Sequence, residues 1–389
     1  MKTNPAFKKW NKPYLFKAIE EIMAMMSPED KKDVIPLGIG DPDLQTPKAI
    51  REAIAREHHQ RYYGYPTVEG RLDLREAISN YYYKRFNCNV FPNEIMVGMG
   101  AKSDLFDIPH VFAQPGDQAL ILDPAYPVYC DAVLFNNLDI KFLEGSPVNN
   151  YCPSVNPNQL SRHQLALIFL CYPNNPTGAM ATREYIQNMI DVARYCDALI
   201  VYDIAYVDFM PGGNPKDGFS IFEIPGAEAV AIEVGSFSKP FSMTGDRISW
   251  IAAKNPDVLA YWKRFRANRD SGASNYEQAG ALAALTDPDV AVEVQENMNI
   301  YKQRANILTK GLKAMKIPVY GLQNSPYAWF KSPIPDSQKA TSILLRDARI
   351  LLTPGIGFGP AGEGFLRATI FQPESKLKEA INRMSHFSL

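Results

Sequence analysis

Cysteine is scarce in this chain. Cys88, Cys130, Cys152, Cys171 and Cys196 are the five in 389 residues, an odd number with no Cys-x-x-Cys pair. That spacing argues against a disulfide framework or a thiolate zinc site and fits free thiols in a reducing compartment. Histidine is as sparse, at five, and His58-His59 has no cysteine or acid beside it at metal-ligand spacing, so the pair reads as a helix surface and no metal is expected. No apolar run approaches the roughly 20 residues that cross a bilayer. Residues 1–10 are polar and lysine-bearing, so no signal peptide is expected and cytoplasm is the expected compartment. Net charge is nearly absent too, with Lys+Arg 41 against Asp+Glu 42 giving -1. Neither nucleic acid nor an anionic membrane is called for as a partner, and any anion must be held by a few placed arginines and backbone amides. Internal repeats and low-complexity tracts are missing as well.

What is present is the composition of a globular enzyme, 46% hydrophobic and 21% charged, at a length that suggests two domains or one large α/β unit. Residues 14–26 carry apolar side chains at helical spacing, and 34–39 read as a short strand running into the turn Gly40-Asp41-Pro42-Asp43. Residues 49–58 and 72–86 are helical patterns. From about residue 94 short apolar runs recur at 95–97, 119–122, 165–170, 199–202, 230–234 and 248–252, with helical stretches such as 182–195 between them. Continuous apolar runs are the mark of strands buried on both faces, so the expectation is βαβ repetition around a mainly parallel sheet flanked by helices. Past residue 287 a long helical segment, 290–315, leads into mixed strands and helices. The expected division is an N-terminal arm and part of a small domain (1–40), a large domain (41–286) and a small C-terminal α+β domain (287–389).

The chemistry concentrates where strands end. Asp203 closes the apolar run Ala198-Leu199-Ile200-Val201, where a carboxylate is costly without a cationic or hydrogen-bonding partner. Taken alone it also fits a turn or helix-cap aspartate. Lys239 follows Gly235-Ser236-Phe237-Ser238, which reads as a turn after the strand 229–234, and Arg247 stands eight residues on. Taken alone Lys239 fits a surface lysine. A lysine amine condenses with an aldehyde, however, and arginine with serines and the amides of Gly98-Met99-Gly100-Ala101-Lys102 can grip a phosphate. Together these groups point to pyridoxal phosphate.

With Asn174-Asn175-Pro176-Thr177-Gly178, Asp203-x-x-Tyr206 and Ser236-x-Ser238-Lys239, in that order, the chain resembles a fold-type I pyridoxal-phosphate enzyme of the class I/II aminotransferase group, from about residue 14 to 383. The resemblance implies a Schiff base on Lys239, a partner for the pyridine nitrogen in Asp203, and donors to the cofactor's 3′ oxygen in Asn175 and Tyr206. It implies a phosphate cup from Ser236, Ser238, Arg247 and the amides of Ala101 and Lys102, with Tyr126 stacked on the ring. Arg367 resembles the arginine that clamps the substrate α-carboxylate, and Gly40 a backbone contact to the same group. Tyr65 resembles the tyrosine that crosses to a neighbouring subunit's phosphate, which implies a homodimer with shared active sites and small amino-acid and 2-oxo-acid substrates.

Within that group several stretches look like LL-diaminopimelate aminotransferases: Pro13-Tyr14-Leu15-Phe16, Gly100-Ala101-Lys102-Ser103-Asp104, Asp123-Pro124-Ala125-Tyr126-Pro127-Val128-Tyr129, Ser271-Gly272-Ala273-Ser274 and the run Thr353 through Gly359. By that resemblance Tyr14, Tyr126, Lys102 and Asn175 help hold the substrate, with 2-oxoglutarate as the expected acceptor. Three positions depart from it. Val68 stands where many members carry an acid, with Glu69 one place late; Ser271 replaces an asparagine; and Asp246 is an unusual charge before Arg247, placed to meet a basic substrate or to pair with Arg247. A broad aspartate, alanine or aromatic aminotransferase stays open, as does a carbon–sulfur β-lyase using the same residues. A ligand-binding regulator on this fold carries an added DNA-binding domain, for which the chain has no basic N-terminal extension.

Overall fold

The computed structural model describes residue 6 and residues 17–60, 64–160 and 162–386. Its strands, in chain order, are β1 (Ile35–Pro36), β2 (Ile95–Gly98), β3 (Gln118–Asp123), β4 (Asp139–Glu144), β5 (Leu165–Cys171), β6 (Leu199–Asp203), β7 (Ala231–Ser236), β8 (Ser249–Ala252), β9 (Val319–Gly321), β10 (Tyr327–Lys331), β11 (Ile350–Leu351), β12 (Thr353–Pro354) and β13 (Phe365–Thr369). The first large element is a seven-stranded sheet in the order β2-β8-β7-β6-β5-β3-β4. β8 runs antiparallel to both its neighbours and the other pairings are parallel. A mainly parallel sheet between helices is what the continuous apolar runs imply.

Both faces of this sheet are covered, which is why its strands do not alternate. Ile168, Ile200 and Tyr202 point into one apolar cluster with Trp250 and Phe237. Their chain neighbours Phe169 and Val201 join Val234 and Trp262 in the cluster on the other face. Two-residue periodicity thus sends successive side chains into two separate cores. The flanking helices follow local signals. In Arg183–Cys196 the Thr182 side chain accepts from the Tyr185 amide at 3.1 Å, and the helix stops at Asp197 in the left-handed region, φ 58.

Two differences from the sequence expectation have plain causes. β7 runs on through Gly235 and Ser236 instead of turning there, because the Trp250 ring packs directly on Gly235 and leaves no room for a side chain. β4 was not anticipated because it is an edge strand, with its residues exposed or half-buried, so it lacks a buried apolar run. The expected strand at 34–39 shrinks to β1, and of the expected helix over 14–26 the described part is Lys17–Met25.

The second element is a four-stranded antiparallel sheet, β12-β13-β10-β9, with its own core of Leu308, Ala328, Phe330, Leu344 and Leu366. Ile35 and Leu37 join that core. β1 pairs in parallel with β11, and the Leu37 carbonyl accepts from the Thr369 amide at 2.8 Å. The segment from Gly38 to Asp41 is thereby anchored to the smaller sheet, and it leads into the space at the C-terminal ends of β6 and β7.

Candidate active site

Side chains at the C-terminal ends of parallel strands face the crevice where open α/β sheets bind ligands. Here β6 ends in Asp203, β7 in Ser236 and β2 in Gly98. Asp203 is 3% exposed. Its carboxylate accepts from Tyr129 Oη at 2.7 Å and from the Ala205 amide at 2.9 Å, both neutral donors. Burial raises its pKa to about 6, against the pull of those two hydrogen bonds. A buried carboxylate held by neutral groups alone has a strong preference for a nearby cation, such as a protonated pyridine nitrogen.

Lys239 sits three residues past β7. Its Nζ donates to the Gly40 carbonyl at 2.5 Å. Burial lowers its pKa to about 8; the Asp41 carboxylate works against this, while Arg367 and Arg247 add to it. Asp41 is itself held by Thr244, whose Oγ1 donates to it at 2.6 Å. The amine therefore keeps a neutral, nucleophilic fraction near neutral pH, as condensation with an aldehyde and proton transfer both require.

The Asn174–Gly178 turn is held by its own ends. Asn174 Nδ2 donates to Thr177 Oγ1 at 2.8 Å, and the Gly178 amide to the Asn174 carbonyl at 2.7 Å. Asn175 is left to face the crevice. Its Nδ2 donates to Tyr206 Oη at 3.3 Å, and its Oδ1 accepts from Arg367 Nη1 at 2.9 Å. Tyr206 lies in the turn after β6 and its hydroxyl is 3.0 Å from Tyr327 Oη. Burial holds the Tyr206 phenol protonated well beyond its ordinary range. Arg367, 7% exposed on β13, donates through Nη2 to the Gly38 carbonyl at 2.8 Å. Its guanidinium lies between the rings of Tyr327 and Phe358, at 4.2 and 4.8 Å, and its Nε has no partner among the described residues. Such a group is set to receive a carboxylate.

The phosphate-cup residues meet across three strands. Register sets Gly98 opposite Ser249 and Ser249 opposite Ser236. The Gly100 amide donates to Ser249 Oγ at 2.9 Å, and Ser236 Oγ accepts from the Ser238 amide at 3.2 Å. Gly100 has φ +95, and a Cβ there would fall 2.5 Å from Arg247 Nη2, so glycine is what lets the arginine lie against the turn. Next begins the helix Ala101–Phe112, whose first amides, Ala101 and Lys102 among them, have no helical carbonyl to reach. These donors, the exposed Lys102 side chain and the exposed Arg247 suit an anion. Tyr126 is half-buried, with its ring edge-to-face to that of Tyr129, the residue that donates to Asp203. Taken together, the donor set fits pyridoxal phosphate.

The remaining expected site residues lie elsewhere. Tyr65 is 92% exposed on the surface. Tyr14 lies outside the described residues. Val68 packs on the core, and Glu69 forms an ion pair with Lys263. Asp246 does not pair with Arg247, and among the described residues it has no ion-pair partner; burial and the nearby Glu277 raise its pKa. Ser271 adopts φ 63, a conformation that favours the asparagine it replaces.

Sequence reading missed Tyr129, Tyr327, Phe358 and the support beneath the cup. Ser249 Oγ donates to Asp104 at 2.5 Å, and Asp104 lies 3.6 Å from Arg266, which is 1% exposed. Asp104 and Tyr129 stand inside stretches quoted above, but only their partners reveal their work.

A family model described as aminotransferase class I and II matches residues 32–384. The chain is 37% identical over 383 residues to the LL-diaminopimelate aminotransferase of Syntrophobacter fumaroxidans, covering 97% of this chain and 96% of that one. Among solved structures it is similar to the L,L-diaminopimelate aminotransferase of Chlamydomonas reinhardtii, at 33% identity and TM-score 0.87, over 99% of this chain and 98% of the other. The aspartate aminotransferase of Thermus thermophilus with maleate, at 23% identity and TM-score 0.89 over 99% of both chains, shares the fold.

Proposed function

This chain belongs to the class I and II aminotransferases and is a pyridoxal-phosphate-dependent enzyme, and from that premise we propose that its amino donor is LL-diaminopimelate and its acceptor 2-oxoglutarate. Full-length similarity to relatives bearing that name supports the donor. The observation that carries the chemistry is the buried Arg367 held by Asn175, which also bonds Tyr206.

Bound pyridoxal phosphate supplies an aldehyde that takes up the amino group and a ring that accepts electrons from the substrate's Cα. The protein's part follows from the geometry. Arg367, fixed by Asn175 Oδ1 and the Gly38 carbonyl, binds the α-carboxylate, with Gly40 beside it, and so orients the Cα–H bond. Lys239 Nζ would anchor the cofactor and, as a neutral amine, would take the proton from the substrate's Cα. Asp203, braced by Tyr129, would keep the ring nitrogen protonated. Asn175 and Tyr206 would hold the ring oxygen, and Tyr126 would pack against the ring. Ser236, Ser238, Arg247 and the Ala101 and Lys102 amides hold the phosphate. The exposed Lys102 side chain would meet the rest of the substrate, a part that the resemblance also gives to Tyr14.

The reading includes a homodimer, in which the exposed Tyr65 of one copy reaches the phosphate of the other; a large unit over 41–286, with a smaller one over 287–389 joined by part of 1–40; and a cytoplasmic setting. One observation favours a second donor class. Val68 is packed on the core and Glu69 is neutralised by Lys263, so neither offers a free carboxylate to a distal ammonium. That arrangement suits an aspartate, alanine or aromatic substrate.

Single-turnover absorbance of the holoenzyme separates these. Conversion of the cofactor by LL-diaminopimelate, reversed by 2-oxoglutarate, is the expected result. Conversion only by aspartate, alanine or tyrosine replaces the donor and keeps the reaction. Release of a thiol, ammonia and pyruvate from an added amino acid that carries sulfur on Cβ, with no conversion by any donor, overturns both in favour of a β-lyase. Borohydride reduction should add the cofactor's mass to the Lys239 peptide and leave Lys239→Ala unmarked.

A further inference from the structure

Tyr327 belongs to none of the motifs, yet it touches the supports of three functional groups. It stands on β10, 2% exposed, with its hydroxyl 3.0 Å from Tyr206 Oη and its ring 4.2 Å from the Arg367 guanidinium carbon. The phenol also packs on Gly40 closely enough to leave no room for a side chain there, and the Gly40 carbonyl receives Lys239 Nζ. We propose that Tyr327 is a positioning residue with two separable parts: its hydroxyl aims the Tyr206 proton at the cofactor's ring oxygen, and its ring sets Arg367 for the substrate carboxylate. This rests on the transaminase reading above.

The hydroxyl argument is one of counting. A phenol has one proton to give and two lone pairs to fill. Asn175 Nδ2 donates into Tyr206 Oη. Between the two phenols either oxygen can be the donor. Once an acceptor oxygen lies against Tyr206, donation from Tyr327 fills the second lone pair, and the single Tyr206 proton is directed to that acceptor. Donors that feed Tyr206 also strengthen its own donation, since chained hydrogen bonds polarise one another.

The ring argument is geometric. Arg367 is held by hydrogen bonds to Asn175 Oδ1 and the Gly38 carbonyl, and its guanidinium carbon lies over the rings of Tyr327 and Phe358. Two hydrogen bonds leave the guanidinium free to tilt about them, and packing over an aromatic ring limits that freedom.

Two variants of the holoenzyme separate the parts. Donation to the ring oxygen draws off charge that otherwise retains the proton on the neighbouring nitrogen. Tyr327→Phe should therefore raise the pH midpoint of the bound cofactor's absorbance change by about half a unit. It should lower kcat about threefold to tenfold and leave KM for the amino donor near the wild-type value. Tyr327→Leu should shift the midpoint similarly and also raise that KM about tenfold. A wild-type midpoint in Tyr327→Phe overturns the hydroxyl's role, and equal KM increases in both variants overturn the ring's. A wild-type protein that binds pyridoxal phosphate but responds to no amino donor overturns the transaminase reading instead; the hydroxyl's role is then still judged by the midpoint.

Discussion

Arg367 Nη1 donates to Asn175 Oδ1 over 2.9 Å, and the same asparagine reaches Tyr206 through Nδ2 at 3.3 Å. The group set for a carboxylate and the groups set for a ring oxygen are therefore joined through one side chain. Asn175→Ala should leave a buried guanidinium short of a partner and weaken both ends together. The expected outcome is a rise in KM for the amino donor and a fall in kcat, with kcat/KM down about 10- to 100-fold. Steady-state kinetics with one donor checks it, and a change confined to kcat would show that the two ends act independently.

The Asp203 carboxyl offers a pH-dependent test on cofactor-free protein. Burial holds its pKa at about 6, above the 3.8 that is ordinary for an aspartate. The native state thus binds a proton more tightly than the unfolded chain, so this stabilisation is complete below pH 3.8 and is lost as pH rises through about 6. Asp203→Asn cannot ionise. It should be more stable than wild type at pH 7, by on the order of 1–3 kcal/mol, with the gap closing near pH 4. It should also lose turnover, because the ring nitrogen has lost its counter-charge. Urea midpoints at the two pH values decide the first point; equal midpoints at pH 7 would mean that Asp203 is not strained by burial.

Beneath the phosphate cup, Arg266 compensates two carboxylates, 2.7 Å from Asp270 and 3.6 Å from Asp104. Burial raises Asp104 to about 6 even with this partner. Arg266→Ala should cost about 3–5 kcal/mol of folding stability, since the Asp104 charge stays buried without compensation, while Asp270 keeps only Arg269, at 3.3 Å. Cofactor affinity should fall with it, because Asp104 holds Ser249, which receives the Gly100 amide. Arg266→Lys keeps the charge without the fork and should lose less. Chemical denaturation and cofactor titration are the readouts, and a loss under about 1 kcal/mol in Arg266→Ala would contradict this account.

Much of the sheet is readable along the chain because burial on both faces demands unbroken apolar runs. β3, β5 and β6 follow from that alone, and β3 and β6 end at the residue where polarity returns, Asp123 and Asp203. The edge strand β4 escapes the same logic, since one alternating, half-exposed strand looks like many loops. Gly235-Ser236 reads as a turn until Trp250, on the neighbouring strand, is seen lying over the glycine.

The site divides in the same way. Lys239, Asp203 and Arg247 are recognisable because reactive and anion-binding groups sit at strand ends with turn chemistry around them, and that is local information; Asn175 and Tyr206 come from the resemblance that their motifs carry. The chain alone also determined the order of the motifs, the spacing of Lys239 to Arg247 and the near-zero net charge that leaves anion binding to a few residues. Only the tertiary structure decided that Tyr129 would brace Asp203 from 74 residues away, that Tyr327 would join Tyr206 across 121, and that Ser249 would tie Gly100 to Asp104. It also decided that Glu69 pairs with Lys263 and that Arg247 donates to the Thr244 carbonyl and not to Asp246. Those partners are set by strand register and sheet order, which depend on the packing of every element at once and leave no periodic or compositional trace at the residues themselves.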